Sequence, residues 1–262
     1  MSVYHECWAL VTGASRGIGY LASRSLASMG CNLILGARGL EGLRQAAESL
    51  QDEYGVEVVP VPLDMRSQAS VDSFISSALE AAAYNIGVAA LSTGNPMCEP
   101  CSLDEASWWD WIEATQLYVA SIHQIMRRLA HESATRPVRV IVFSSWTIRE
   151  PQPMLSVADV VRAGLPNMIR LAAREWPGRL VPILVLLGSF DTPGARRTVE
   201  EIAKRIGRDP ETFWKEQVEA LSPLGRAGRP EELMELVAFL ARAPEYMAGT
   251  IVEFHAASTK CT

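Results

Sequence analysis

Short apolar runs alternate with longer amphipathic stretches along almost the whole chain. The runs are Trp8 to Val11, Asn32 to Leu35, Val56 to Val61, Gly87 to Leu91, Val138 to Phe143, Val181 to Leu187 and Thr250 to Phe254. Each is brief and nearly continuous in hydrophobicity, as expected of a strand covered on both faces. Between them, Gly17 to Met29, Leu40 to Tyr54, Ser70 to Ala83, Leu103 to Glu132, Val157 to Trp176 and Pro230 to Ala241 carry apolar residues at helical spacing. Seven strands separated by helix-length crossovers predict a doubly wound parallel sheet with helices on both faces. No linker, internal repeat or low-complexity tract breaks the pattern, so residues 1–262 are expected to form a single domain. Ser102 or Asp104 is the expected cap of the long fourth helix, and Pro166 should kink the helix that follows Val157 or shift its hydrogen bonding. Residues 193–221 fit the alternation poorly and are expected to form short helices acting as a lid over the strand ends.

Between the first run and the first helix the chain reads TGASRGIG, from Thr12 to Gly19. Gly13 suits a tight strand-to-helix turn, Gly17 a close backbone approach to a pyrophosphate, and Gly19 close packing of helix on strand. The phosphates would meet the unpaired N–H groups and positive dipole end of the helix, with Ser15, Arg16 and Ile18 in the same turn. The context on both sides makes this a dinucleotide-binding turn and the fold class α/β of Rossmann type.

Composition narrows the partners. A net charge of -6 argues against nucleic acid, which calls for a basic face. No apolar segment has the length of a membrane span, and Met1 to Leu10 lacks the basic and apolar parts of a signal segment. The protein is therefore expected to be cytoplasmic and to act on a small molecule. Five cysteines include one C-x-x-C pair, Cys98 and Cys101. Without a second pair no zinc ribbon is possible, and no metal site is expected. The pair is either redox-active beside the cofactor or two ordinary thiols in a loop. His123 and His131 lie on one helix without a matching carboxylate pair and read as structural.

The glycine turn, the strand count and SPLGRAGRPEELMELVAFLA (Ser222 to Ala241) together resemble the short-chain dehydrogenase/reductase family over essentially the whole chain. The resemblance implies a nicotinamide cofactor. Ala37 and Arg38 stand where an NAD-selective carboxylate would end the second strand, and with Arg16 they favour the 2'-phosphate of NADP(H). Asp64 and Met65 match the family's adenine contacts. Ser92, Thr93 and Gly94 replace an Asn-Asn-Ala-Gly motif, and Gly188 and Thr192 match positions beside the nicotinamide. The ending His255, Ala256 and Ala257 departs from the family's aspartate and two glycines.

The catalytic segment departs further. In the family a serine is followed thirteen residues later by a tyrosine and four further on by a lysine. Ser145 fits the serine, but those offsets land on Ala158 and Arg162. No tyrosine occurs between Tyr118 and Tyr246, and no lysine precedes Lys204. The family's helix asparagine aligns with Gln116. Ser145, Arg162 and Gln116 are thus the expected catalytic set, Arg162 also holding the nicotinamide ribose. The missing acid would be replaced by Asp159 or by a water in the space left by the phenol, with Ala158 facing that space. The residues support two functions: an NADP(H)-dependent oxidoreductase of small carbonyls with a modified proton relay, or an NADP(H)-binding protein without turnover. Trp108, Trp109 and Trp111 cannot all face one core, and the family's habits imply a homo-oligomer, dimer or tetramer, built on this helix and the one carrying Arg162.

Overall fold

Seven strands form the centre of the protein: β1 (Trp8–Thr12), β2 (Asn32–Ala37), β3 (Val58–Pro62), β4 (Ile86–Leu91), β5 (Val138–Ser145), β6 (Leu180–Leu187) and β7 (Ile251–Phe254). The computed structural model describes residues 7–135 and 137–259. All neighbouring strands are parallel, in the order β3-β2-β1-β4-β5-β6-β7. Every expected strand is present, with ends displaced by no more than two residues. The order reverses between β1 and β4, which opens a crevice above their carboxyl ends.

The helices are α1 (Gly17–Ser28), α2 (Leu40–Tyr54), α3 (Gln68–Ala81), α4 (Trp108–Thr115), α5 (Ser121–Glu132), α6 (Ser156–Arg162), α7 (Leu165–Glu175), α8 (Pro193–Arg205), α9 (Pro210–Trp214) and α10 (Pro230–Leu240). None is long and apolar enough to cross a membrane. Successive residues of each strand face opposite helical layers. Leu10, Ile34, Ala89, Val140 and Leu184 pack with α3, α5 and α7, whereas Ala9, Val11, Leu33, Val88, Ile141 and Ile183 pack with α1, α2 and α10. Helices cover both faces of the inner strands, which is why β4 and β6 are buried throughout and read as unbroken apolar runs instead of alternating ones.

Three local expectations are corrected. The fourth helix begins at Trp108, because Ser107 and Asp110 form a reciprocal capping box there. Neither Ser102 nor Asp104 caps it; Ser102 instead bonds Glu105 through its N–H at 2.8 Å. The helix is also not regular: a π turn, Gln116–Ala120, joins α4 to α5. Pro166 does not kink a continuous helix. The chain breaks at Ala163 and Gly164, and Pro166 sits in the first turn of α7, where its missing N–H has no helical acceptor to lose.

At the far edge, His255 packs against Gly188, where an added Cβ would lie 2.8 Å from the histidine Cα. Ala256 and Ala257 take left-handed backbone angles, φ 49° and 56°, so the turn keeps a path that suits glycine although alanine occupies it. His123 and His131 both pack on the Trp176 ring, consistent with their structural assignment.

Candidate active site

The glycine turn is fixed at its start by the Thr12 side chain on the Ser92 backbone. Thr12 Oγ1 donates to the Ser92 carbonyl at 2.9 Å and accepts the Ser92 N–H at 2.9 Å, clamping β1 to β4 at the strand ends. Gly13 and Gly17 have positive φ, 63° and 61°. A Cβ on Gly13 would fall 2.7 Å from the Ser92 carbonyl oxygen. Gly19 does not line the crevice; a Cβ there would lie 2.3 Å from the Gly13 oxygen, so its role is to seat α1 on the turn.

From this turn a cleft of about 950 Å³ runs across the strand ends. Ser15, Arg16, Gly17 and Ile18 of the glycine turn line it, as do Arg38, Asp64, Met65 and Arg66. Arg66 is not singled out by the sequence, its place two residues after Asp64 being the only clue. Its Nε and Nη2 each donate to the Asp64 carboxylate at 2.9 Å, and this pairing holds the Asp64 carboxyl below its usual range. Ser92, Thr93 and Gly94 line one wall further along, and Gly188 and Thr192 the other. Thr192 Oγ1 accepts the Ala195 N–H at 3.3 Å, capping α8. Backbone glycines at a helix N-terminus and an arginine cluster at one end are the donor set that a phosphorylated dinucleotide requires.

Ser145 and Arg162 also line the cleft and are linked through Thr147. Ser145 Oγ accepts the Thr147 N–H at 3.2 Å and lies 3.0 Å from Thr147 Oγ1. Thr147 Oγ1 is also bonded to Asp159 Oδ1. A carboxylate only accepts, so the single Thr147 hydroxyl proton goes to Asp159 and the Ser145 proton is left for Thr147 or for a ligand in the cleft. Asp159 Oδ2 takes the Gln152 N–H at 3.0 Å, and Arg162 Nη2 donates to Oδ1 at 2.8 Å. Arg162 Nε bonds the Ala158 carbonyl at 3.2 Å, and the guanidinium lies 5.2 Å from the Tyr118 ring centroid. Arg162 Nη1 has no partner among the described residues and Arg162 lines the cleft, which leaves a donor for a ligand.

The loop after β4 adds a residue that the sequence does not single out. Glu99 lines the cleft, and its Oε2 is buried without a hydrogen-bond partner. Burial pushes its carboxyl up to about 7, with Arg162 opposing and Asp159 adding to the rise. Cys98 and Cys101 flank it as free thiols with their sulfurs 3.2 Å apart. The loop is tethered on both sides: Met97 N–H bonds Glu113 Oε2 at 3.0 Å, and Cys101 N–H bonds the Met154 carbonyl at 2.8 Å. Met154 holds a left-handed φ of 73°. Only the fold, by bringing this loop onto the 152–155 segment, makes Glu99 a site residue.

A family model described as enoyl-(acyl carrier protein) reductase matches residues 13–254. The chain belongs to the short-chain dehydrogenase/reductase family. Among family relatives it is 28% identical to a rhamnolipids biosynthesis 3-oxoacyl-[acyl-carrier-protein] reductase of Pseudomonas aeruginosa, over 93% of both chains. It is 29% identical to a cis-4-hydroxycyclohexanecarboxylate dehydrogenase of Sinomonas cyclohexanicum, over 95% of both. Its fold matches L-sorbose reductase of Gluconobacter frateurii, complexed with NADPH and L-sorbose, with a TM-score of 0.89, 23% identity and full coverage of both chains. The RhlG/NADP complex of Pseudomonas aeruginosa matches with a TM-score of 0.80 and 25% identity over 97% of this chain and 96% of that one.

Against the family pattern two expected positions move. Gln116 is exposed at the start of the π turn and does not line the cleft; Leu117 does. A π turn widens the helix by a residue and rotates the faces of the helix beyond it, so an alignment that assumes regular α-helix assigns the wrong side chain. Ala158 is buried in the apolar core with Leu117 and Tyr118 and does not face the cleft. Asp159 has both oxygens bonded and anchors Arg162 and the 147–152 loop, which leaves no free acid there.

Proposed function

We propose that this chain is an NADP(H)-dependent oxidoreductase that interconverts a small carbonyl and its alcohol through a proton relay without the family's tyrosine. The observation that carries this reading is one cleft joining the glycine turn and its arginines to Ser145 and Arg162. Arg16 and Arg38 supply paired donors and permanent charge for the ribose 2'-phosphate. NADPH or NADP in the L-sorbose reductase and RhlG complexes supports the same cofactor. NADP(H) held in this cleft supplies or accepts the hydride. The Ser145 hydroxyl polarises the substrate oxygen, and Arg162 holds the ribose hydroxyls. Arg162 keeps its proton near neutrality and cannot carry one to or from the substrate. The 193–221 segment, whose Thr198, Ile202, Phe213 and Val218 line the outer wall, acts as the lid and sets substrate choice.

Titration with NADPH and NADH, followed by steady-state turnover on a panel of ketones, aldehydes and 3-oxoacyl thioesters, tests the reading. NADPH should bind more tightly. In the Arg16→Ala/Arg38→Ala double variant NADPH affinity should fall at least about tenfold, or about 1.4 kcal/mol, while NADH affinity holds. An unchanged preference sinks the cofactor assignment. Tight NADPH binding with no turnover on any carbonyl sinks the enzymatic one.

Self-association belongs to the same proposal. Trp108 and Trp109 are 75% and 72% exposed on α4, and Val160 and Leu171 are 57% and 52% exposed on α6 and α7. Trp111 alone of the three tryptophans packs on the core. These exposed apolar groups are the contact surface of a homodimer or homotetramer. Light scattering at micromolar concentration should report a multiple of 28.7 kDa that falls to the monomer in Trp108→Ser/Trp109→Ser. A wild-type particle of 28.7 kDa rejects the proposal.

A further inference from the structure

We infer that Glu99 is the proton donor and acceptor of this site, taking the place of the absent phenol. The inference rests on the oxidoreductase reading above and deepens it. Its first support is chemical exclusion. Among the described residues lining the cleft, the titratable side chains are five arginines and two carboxyls, Asp64 and Glu99. An arginine does not release its proton near neutrality. Asp64 lies at the arginine-rich end, locked in a bidentate pair with Arg66. The lining includes no histidine, cysteine, lysine or tyrosine. Glu99 is what remains.

The neighbouring candidates fail for separate reasons. Tyr118 donates its hydroxyl proton to the Gly94 carbonyl at 3.0 Å, is 2% exposed and does not reach the cleft. Burial pushes its phenol far above the ordinary value, so it stays neutral and committed. Asp159 has partners on both oxygens. Glu99 differs from both in presenting a buried oxygen with no partner. A buried carboxyl in that state is favoured as the neutral acid, which needs an acceptor, and a carbonyl oxygen entering the cleft is one.

The groups that face Glu99 tune it in opposite directions. On α6, Arg162 favours the carboxylate and Asp159 disfavours it, and Tyr118 on the π turn is a neutral phenol. Desolvation outweighs Arg162 and leaves the carboxyl at about 7, where an acid and its conjugate base are both present at neutral pH. In the reductive direction the carbonyl carbon would take the hydride that bound NADPH would supply. The carbonyl π pair moves to oxygen, which takes the Glu99 proton to become the hydroxyl, and Glu99 regains a proton from water. The products are alcohol and NADP⁺. Oxidation uses the same group in reverse, with the Glu99 carboxylate accepting the hydroxyl proton.

Protonated Glu99 is needed for reduction, so reductive kcat/KM should fall as pH rises through about 7, while oxidative kcat/KM should rise through the same value. The test compares wild type, Glu99→Gln and Glu99→Asp on a carbonyl that wild type reduces, from about pH 5 to about pH 9. Glu99→Gln should lose about a hundred- to ten-thousand-fold in kcat and lose the pH break, with NADPH affinity within about twofold of wild type. Glu99→Asp should recover part of the rate and restore a break. An infrared pH titration of the protein alone, wild type minus Glu99→Gln, should show one protonated-carboxyl band vanishing near pH 7. Glu99→Gln turning over at the wild-type rate with an unchanged pH profile overturns the assignment while leaving the oxidoreductase reading intact. The infrared band missing across the range overturns it too. Wild type that binds NADPH and reduces no carbonyl overturns the oxidoreductase reading and this inference with it.

Discussion

Replacing Asp159 by alanine is expected to lower folding stability by about 3–5 kcal/mol, among the largest losses any single side chain of this protein should produce. The carboxylate is 1% exposed and holds three groups from two segments: the Thr147 hydroxyl, the Gln152 N–H and the Arg162 guanidinium. Removing it strands a guanidinium whose side chain is only 12% exposed, and the remaining nearby carboxyl, Glu99, acts on it through space without forming an ion pair. Losing one partner of such a pair is far more harmful than never having had the pair, because the desolvation of the other persists uncompensated. Urea denaturation should show a lower midpoint with an unchanged slope. Asp159→Asn should fall in between, since the amide oxygen still accepts the backbone N–H. A loss below about 1 kcal/mol for Asp159→Ala would mean that Arg162 finds another partner and that the anchoring role is wrong.

The second large effect is expected from Gly19→Ala, through a position that never touches the cleft. The new Cβ would sit 2.3 Å from the Gly13 carbonyl oxygen and 2.6 Å from the Thr12 oxygen. Both are backbone atoms in the turn clamped by Thr12 and Ser92, so no flexible side chain can give way. Either α1 lifts off the turn or the turn changes path; in both cases the N–H groups at the start of α1, which the proposed function assigns to the pyrophosphate, are displaced. NADPH affinity should fall by more than about a hundredfold, equivalent to about 2.7 kcal/mol, and stability by at least the 1–3 kcal/mol typical of overpacking. Gly42→Ala, at a glycine whose added Cβ would meet nothing closer than 3.9 Å, is the control and should change neither. Calorimetric titration of both variants decides it: wild-type affinity in Gly19→Ala would show that the turn tolerates the methyl group and that close packing there is not what positions the phosphates.

The two variants sit on opposite sides of what could be read from the chain. Gly19 belongs to a local pattern in which three glycines at fixed spacing, a strand before and a helix after act within one turn, so sequence alone locates it. The strands were legible for a similar reason: a run buried on both faces must be apolar at every position, and Val138 to Phe143 or Val181 to Leu187 carry that requirement openly. Arg16 and Arg38 were legible because they flank the turn and the end of β2.

Asp159 and Glu99 carry no such mark. Asp159 lies next to the position where the family's spacing points, and its role depends on Thr147 and Gln152 arriving from another segment. Gln116 looked correct by alignment and is exposed, because the π turn at Gln116–Ala120 shifts Leu117 into its place. Ala158 kept the spacing of the missing tyrosine yet faces the core, so spacing did not carry direction. Sequence by itself determined the sheet, the glycine turn and the absence of the tyrosine and lysine, since each is written in residues adjacent along the chain. Only the tertiary structure decided which groups share the cleft and which of them is buried without a partner. Burial, and the charge states that it sets, belong to residues brought together across the fold: Glu99 becomes an acid near neutrality because the packing of its loop beside α6 removes water from it.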